Sequence, residues 1–195
     1  MSYELVIVES PTKARIINKF LGKEYKVESS MGHVRDLPPK KLGIDIEKGF
    51  EPTYQLLPGK KKIVSKIKKL VQDSSKIYIA MDEDREGEAI GWHMLHALGM
   101  KDTEDKVDRI AFHEITEEAI REALRTPRNI SMDLVNAQQA RRILDRIVGF
   151  KVSPLLHKKI ARKLSAGRVQ SVGLMLIVDR EKEIDKFNPR KYYSV

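Results

Sequence analysis

The sequence contains no cysteine, which excludes disulfides, zinc–thiolate centres and cysteine nucleophiles. It holds no 18-residue apolar span and nothing like a secretory signal, because the N-terminus runs straight into a short strand-like segment. The cytoplasm is therefore the expected compartment, with no membrane as partner. No internal repeat and no low-complexity tract is present. Acids are scarce in one region. Between Ala137 and Arg168 stand Arg141, Arg142, Arg146, Lys151, Lys158, Lys159, Arg162, Lys163 and Arg168, against Asp145 alone.

What is present fits a globular chain. Its 195 residues are 41% hydrophobic, enough to bury roughly 70% of the surface that the unfolded form exposes. Lys plus Arg number 37 and Asp plus Glu 28, a formal charge of +9. That balance points to a polyanionic partner, nucleic acid or an anionic membrane, though a merely basic soluble protein has the same arithmetic. A second basic run is Lys60, Lys61, Lys62, Lys66, Lys68 and Lys69. The sign reverses at Asp82, Glu83, Asp84, Glu86 and Glu88, where only Arg85 is basic. An acidic cluster inside a basic protein is a common setting for a divalent cation.

The first half alternates strand and helix signals. Leu5-Val6-Ile7-Val8 is a short apolar run of the kind buried on both faces. Ser10-Pro11 follows as N-cap and first helical residue, and Gly22 falls just past the helix end. Residues 25–30 read as a strand. Residues 37–59 form an irregular excursion rich in proline and glycine. A Lys-rich helix over about 60–72, a strand at 77–80, a helix over about 86–98 and a strand at 109–112 come next. Thr116 caps a further helix with Glu117 and Glu118 in its first turn. This order predicts a parallel or mostly parallel sheet with helices on its faces. From Ser131 onward the sequence reads as helix, ending with one over 168–186 that Pro189 stops.

Ligands of open α/β sheets collect at the carboxyl ends of strands. Glu9 follows the first strand directly, and Asp82 and Asp84 follow the strand at 77–80. If the two strands are neighbours, three carboxylates converge there, and Glu86 can join from the helix start. Oxygen ligands without His or Cys favour Mg²⁺ over zinc. The same acids also suit a solvated loop at a helix N-terminus. Ser10 to Lys13 would open a helix with free N–H groups and an ammonium nearby, which favours a phosphate. His33 lies in a loop after a strand, within reach of the same edge. Composition and spacing lead to a Mg²⁺-dependent protein acting on nucleic-acid phosphodiesters, without specifying the reaction.

Five segments resemble, in order, the amino-terminal part of bacterial type IA DNA topoisomerase I. They are Val8-Glu9-Ser10-Pro11-Thr12-Lys13-Ala14, Ser30-Met31-Gly32-His33-Val34, the run from Asp82 to Ile90, the run from Ala137 to Arg146, and the run from Leu164 to Ser171. The resemblance implies an α/β fold of Toprim type, a Rossmann-like, mostly parallel four-stranded sheet with flanking helices, followed by an α-helical lobe. Residues 1–36 and 60–130 would form the Toprim domain. Residues 37–59 and 131–190 would belong to a helical domain that holds single-stranded DNA, and 191–195 would begin the first strand of a further domain.

The resemblance also implies chemistry. Such enzymes relax negatively supercoiled DNA without ATP, through a tyrosine linked transiently to a 5′ phosphate. By motif, Glu9 would handle the proton on the leaving 3′ oxygen and Lys13 would stabilise charge at the scissile phosphate. Mg²⁺ would be held by Asp82, Asp84 and Glu86, with Glu9 beside them. His33, Arg141, Arg142, Asp145, Phe150, Ser165, Ala166, Gly167, Arg168, Val169 and Gln170 would touch DNA. Phe150 stands where many relatives carry tyrosine beside a base pocket; it can stack on a base but lacks the hydroxyl. The tyrosines are Tyr3, Tyr25, Tyr54, Tyr78, Tyr192 and Tyr193, and none has the context of the family's nucleophile. The chain is thus expected to be a piece of a longer, monomeric enzyme whose remaining polypeptide is its partner. Two other readings stay open, a Toprim nuclease or primase and a non-catalytic DNA-binding module. Intact carboxylates disfavour the module, and the Ala166–Gln170 segment disfavours nuclease and primase.

Overall fold

The structure, a computed structural model, describes residues 2–101 and 105–194. In chain order its elements are β1 (Tyr3–Val8), α1 (Pro11–Phe20), β2 (Tyr25–Ser29), β3 (Arg35–Asp36), β4 (Ile44–Asp45), β5 (Glu51–Pro52) and β6 (Gln55–Leu56). They continue with α2 (Lys61–Asp73), β7 (Ser74–Ala80), α3 (Arg85–Leu98), β8 (Val107–Arg109), α4 (Glu117–Arg125), α5 (Met132–Lys159) and α6 (Arg168–Lys186). The chain divides into two compact units, Met1–Arg141 and Arg142–Val195.

In the first unit four parallel strands lie in the order β2-β1-β7-β8. β1 is central, so Leu5, Val6, Ile7 and Val8 are all sealed from solvent. That explains a continuous apolar run where alternation would mark a half-exposed strand. Leu5, Ile7, Ile77 and Ile79 face one layer, with Val64 and Ile67 of α2 and Met94 and Leu95 of α3. Val6, Val8, Tyr78 and Ala80 face the other, with Ile17 of α1 and Ile120 of α4. The α/β fold with helices on both faces is thus as expected.

The helix starts follow local chemistry. Ser10 Oγ accepts from Lys13 N at 3.2 Å, with Pro11 in the first position. Asp84 Oδ1 accepts from Gly87 N at 2.7 Å and Thr116 Oγ1 from Ala119 N at 3.3 Å. α3 stops at Gly99, whose φ of 78° is the left-handed conformation that glycine adopts without penalty. Ile17 is the one buried residue of α1, and truncating such a side chain to alanine costs about 2–5 kcal/mol.

Several boundaries differ from expectation. The strand expected at 109–112 is β8, Val107–Arg109, because the register sets Val107 level with Ile77. The strand expected at 77–80 begins earlier, at Ser74. The excursion 37–59 is not wholly irregular: β4 pairs with β5, and β6 pairs with β3 just before it, both antiparallel. Residues 191–194 carry no strand assignment, and Val195 lies outside the described residues.

The second unit holds the rest of α5 and all of α6. α5 continues through Pro154 to Lys159. No residue of α6 is buried, and Leu174, Met175, Leu176 and Ile177 stand exposed. Among the described residues, no helix is long and apolar enough to cross a membrane.

Candidate active site at the carboxyl edge of the sheet

Parallel pairing of β1 with β7 sets Val8 level with Ala80. The chain therefore leaves both strands side by side, and Glu9 and Asp82 emerge at one edge. Lys13, in the first turn of α1, bonds from Nζ to Glu9 Oε1 and to Asp82 Oδ1. The N–H of Asp82 donates to Glu9 Oε2 at 3.1 Å. Glu9 and Lys13 are mostly covered while Asp82 is half exposed. Burial pulls the Asp82 carboxyl up, but the hydrogen bond and charge of Lys13 outweigh it, and the group is held below its ordinary range. Burial likewise pulls the Lys13 ammonium down, and its bonds to Asp82 and Glu9 reverse that, leaving it raised.

The backbone around these groups is fixed from two sides. Gly32 N donates to Glu9 O at 2.7 Å and Ser30 N to Val8 O at 2.8 Å. The turn that delivers Gly32 needs left-handed conformations at Met31 (φ 56°) and Gly32 (φ 81°). For Met31 this costs on the order of 1–2 kcal/mol. On the other side, Arg109 Nη2 donates to Asp82 O at 2.8 Å. Arg109 is 1% exposed, and Glu88, which receives its Nε at 3.0 Å, is fully buried. Glu88 also accepts from Arg128 Nη2 at 2.6 Å and from Ser131 N at 3.0 Å. Gly87 is obligatory here, since a Cβ would lie 2.2 Å from Asp82 O.

This support was missed in the sequence. Glu88 reads there as one of an acidic cluster suited to a divalent cation, whereas it is buried against Arg109 and Arg128. The signal was its place between Gly87 and Ala89 in a helix whose apolar face includes Ile90 and Met94. Arg109, inside a three-residue strand, carries no local mark of burial.

The remaining acids have partners of their own. Asp84 caps α3 through Oδ1. Glu86 Oε1 lies 2.8 Å from His33 Nε2, which brings the His33 loop to the same edge. Glu83 lies 3.3 Å from His113. Among the described residues, no three or more histidine and acidic side chains converge as a metal cage. Convergence is thus narrower than expected: Glu9 and Asp82 meet, while Asp84 and Glu86 stand at the start of α3. The donor set still fits Mg²⁺. All four are hard oxygen ligands, a lysine ammonium already sits between two of them, and Mg²⁺ usually takes only one or two carboxylates. The helix start is also narrower as an anion site, because Pro11 has no N–H and that of Lys13 is taken by Ser10.

The expected DNA-contacting residues beyond His33 lie in α5, in the segment leading into α6 and in the first turn of α6. Arg141 closes the first unit; the others belong to the second. Asp145 Oδ1 accepts from Arg168 Nε at 2.6 Å. The guanidinium of Arg146 lies 5.2 Å from the Phe150 ring centroid. Ala166 N donates to Ser153 Oγ at 3.1 Å, and Gln170 Nε2 to Ser165 Oγ at 3.1 Å. Gly167 is the N-cap residue just before α6, and Val169 is exposed. Burial raises the phenols of Tyr3, Tyr25 and Tyr78, and Tyr54 donates to Gln139 Oε1 at 3.1 Å.

A further cluster had no sequence forecast. His93 on α3 lies edge-on to Tyr54 (4.5 Å) and to Trp92 (4.8 Å). The Arg35 guanidinium lies 5.5 Å from the Tyr54 ring. Burial, with the charges of Arg35 and His33, pushes His93 down to about 3. The only signal was its spacing of three from Ile90.

Residues 4–115 match the Toprim domain family, and residues 129–195 match a family described as DNA topoisomerase. Among solved structures, the chain is similar to full-length topoisomerase I from Thermotoga maritima. Identity is 50% and the TM-score 0.86, over 96% of this chain and 32% of that one.

Proposed function

This chain belongs to the type IA DNA topoisomerase family, and from the grouping of Glu9, Lys13 and Asp82 at one sheet edge we propose that it supplies the acid-and-metal half of an enzyme relaxing negatively supercoiled DNA without ATP. The chain spans 32% of the length of its Thermotoga relative. The nucleophilic tyrosine is assigned to polypeptide outside these 195 residues, because none of the six tyrosines here stands in the sequence context of the family's nucleophile.

In the proposed reaction a tyrosine phenol gives up its proton to solvent as its oxygen attacks a phosphodiester. The P–O3′ bond breaks, a phosphotyrosine bond to the 5′ phosphate forms, and the 3′ oxygen takes up a proton. A strand passes, and the 3′ hydroxyl reverses the attack, so no ATP is consumed. Glu9 carries the proton for the 3′ oxygen. Lys13 holds positive charge beside the phosphate as its charge rises in the transition state. Asp82, Asp84 through its remaining oxygen, and Glu86 would hold Mg²⁺ with Glu9 at hand, and the ion when bound supplies positive charge for a DNA phosphate. His33, Arg141, Arg142, Asp145, Phe150 and the segment from Ser165 to Gln170 bind single-stranded DNA in a monomeric cytoplasmic enzyme.

The observation that carries this reading is Lys13 bonded to both carboxylates, in a helix that starts where β1 ends. The test is to incubate the enzyme containing this segment and the family's tyrosine with 5′-labelled and 3′-labelled single strands and Mg²⁺. A covalent adduct through the 5′ phosphate is expected, abolished by Asp82→Asn. Nicked DNA without an adduct would replace this reading by that of a Toprim nuclease.

A further inference from the structure

The lysines of α2 take no part in the site described. Lys61, Lys62, Lys66, Lys68 and Lys69 are exposed while Val64 and Ile67 face the sheet. The only acid on the helix is its last residue, Asp73. Lys66 lies 2.5 Å from Glu28, and among the described residues the other four have no acidic partner. Lys61, Lys62, Lys66 and Lys69, with Gly59 and Ser65, line one open groove of about 870 Å³. Just before the helix, Lys60 Nζ donates to Met31 O. Met31 belongs to the turn that holds Glu9 and carries His33 to Glu86. The positive stripe therefore starts at the carboxyl edge of the sheet and runs down α2.

At 1.5 Å per residue, Lys61 to Lys69 spans about 12 Å. A duplex presents one charge per ≈ 1.7 Å of axis, about seven over that length. Single-strand binders add aromatic side chains on which bases stack, and α2 has no aromatic residue. The charged groups lining its groove are all ammonium groups, which bind phosphate as point charges. We propose that the lysine face of α2 holds the phosphate backbone of a DNA duplex, next to the single-stranded segment handled at the sheet edge. The proposal rests on the reading of this chain as part of a DNA-processing enzyme.

The test measures binding of labelled duplex and labelled single strands to the 195-residue protein by fluorescence anisotropy, between about 50 and 200 mM salt. A variant carrying Lys61→Ala, Lys62→Ala, Lys66→Ala and Lys69→Ala should lose duplex affinity more than tenfold. Its duplex log–log salt slope should fall by about 3.6, at about 0.9 for each of the four contacts. Its single-strand slope should change by less than about 0.7, the value of one contact. The four Lys→Arg replacements should keep duplex binding, which separates lost charge from lost folding. Unchanged duplex binding in the alanine variant overturns the proposal. So does equal loss for both DNA forms, which would assign the lysines to the single-strand groove. Loss confined to anionic phosphatidylserine vesicles, with duplex binding intact, would assign the face to a membrane. None of these readouts involves cleavage, so failure here is distinct from failure of a covalent adduct to form.

Discussion

Glu88→Gln removes one charge from the interior and leaves the shape intact. Glu88 is fully buried, and its carboxylate receives Arg109 Nε at 3.0 Å, Arg128 Nη2 at 2.6 Å and Ser131 N at 3.0 Å. Arg109 cannot reach water, so the substitution strands its charge. Breaking one side of a buried pair costs about 3–5 kcal/mol. The lower end applies, because Arg109 also donates to the carbonyls of Ile79, Ile110 and Asp82, and Arg128 is partly exposed and can turn to solvent. Trp92 is the only tryptophan and stands on α3 one turn from Glu88, so its fluorescence reports this unit. With an m-value of about 2 kcal/mol/M in urea, a loss of about 3 kcal/mol moves the midpoint by about 1.5 M. Arg128→Ala should move it less, since Glu88 keeps Arg109 and Ser131. A Glu88→Gln shift below about 0.5 M, or about 1 kcal/mol at that m-value, would refute the idea that Glu88 compensates the Arg109 charge.

Other consequences are independent of this one. Gly87→Ala forces a methyl to 2.2 Å from Asp82 O, so calorimetry should show a loss of about 1–3 kcal/mol, or about 2–4 °C in Tm per kcal/mol. Asp84→Asn should weaken Mg²⁺ binding in a calorimetric titration yet keep the α3 cap, whereas Asp84→Ala should weaken binding and also cost about 1 kcal/mol of stability. His93 is 3% exposed and pushed down to about 3 from 6.5, so between those values the unfolded chain binds the extra proton. Its contribution is complete above the unfolded value and is lost as pH falls, at about 1.4 kcal/mol per pH unit. His93→Gln should remove that slope from urea midpoints measured across the same range, and an unchanged slope would mean that His93 is protonated in the fold.

Where one local signal decides, the sequence was readable. Ser10 and Thr116 sit at helix starts because their side chains reach an amide three residues on. β1 showed itself as an unbroken apolar run because both faces are covered. Glu9 and Asp82 were found together because parallel neighbours deliver their carboxyl ends to one edge, and that edge needs only correct strand order. Features created by distant contacts were not readable. Val107 begins a strand because Ile77 lies beside it, while the local pattern favours starting two residues later. Glu88 and Arg109 are charged, and only the fold shows each compensating the other inside. Asp84 reads as a ligand by spacing, yet its geometry is first that of a cap. Lys13 was assigned to a phosphate by motif; its joint hold on Glu9 and Asp82 became visible only with the two strands in register.

The central claim is that Glu9 transfers the proton at the 3′ oxygen during strand cleavage. The most direct measurement is single-turnover cleavage by Glu9→Gln, in the enzyme that unites these residues with the family's tyrosine. Two substrates are compared, one with an ordinary 3′ oxygen at the scissile bond and one with sulfur in its place. A thiolate leaves without protonation. The account predicts unchanged DNA affinity and cleavage of the oxygen substrate slowed by about 10²–10⁴, with much of that rate restored on the sulfur substrate. Equal slowing on both substrates, with affinity intact, would contradict it and leave Glu9 as a metal ligand or positioning residue.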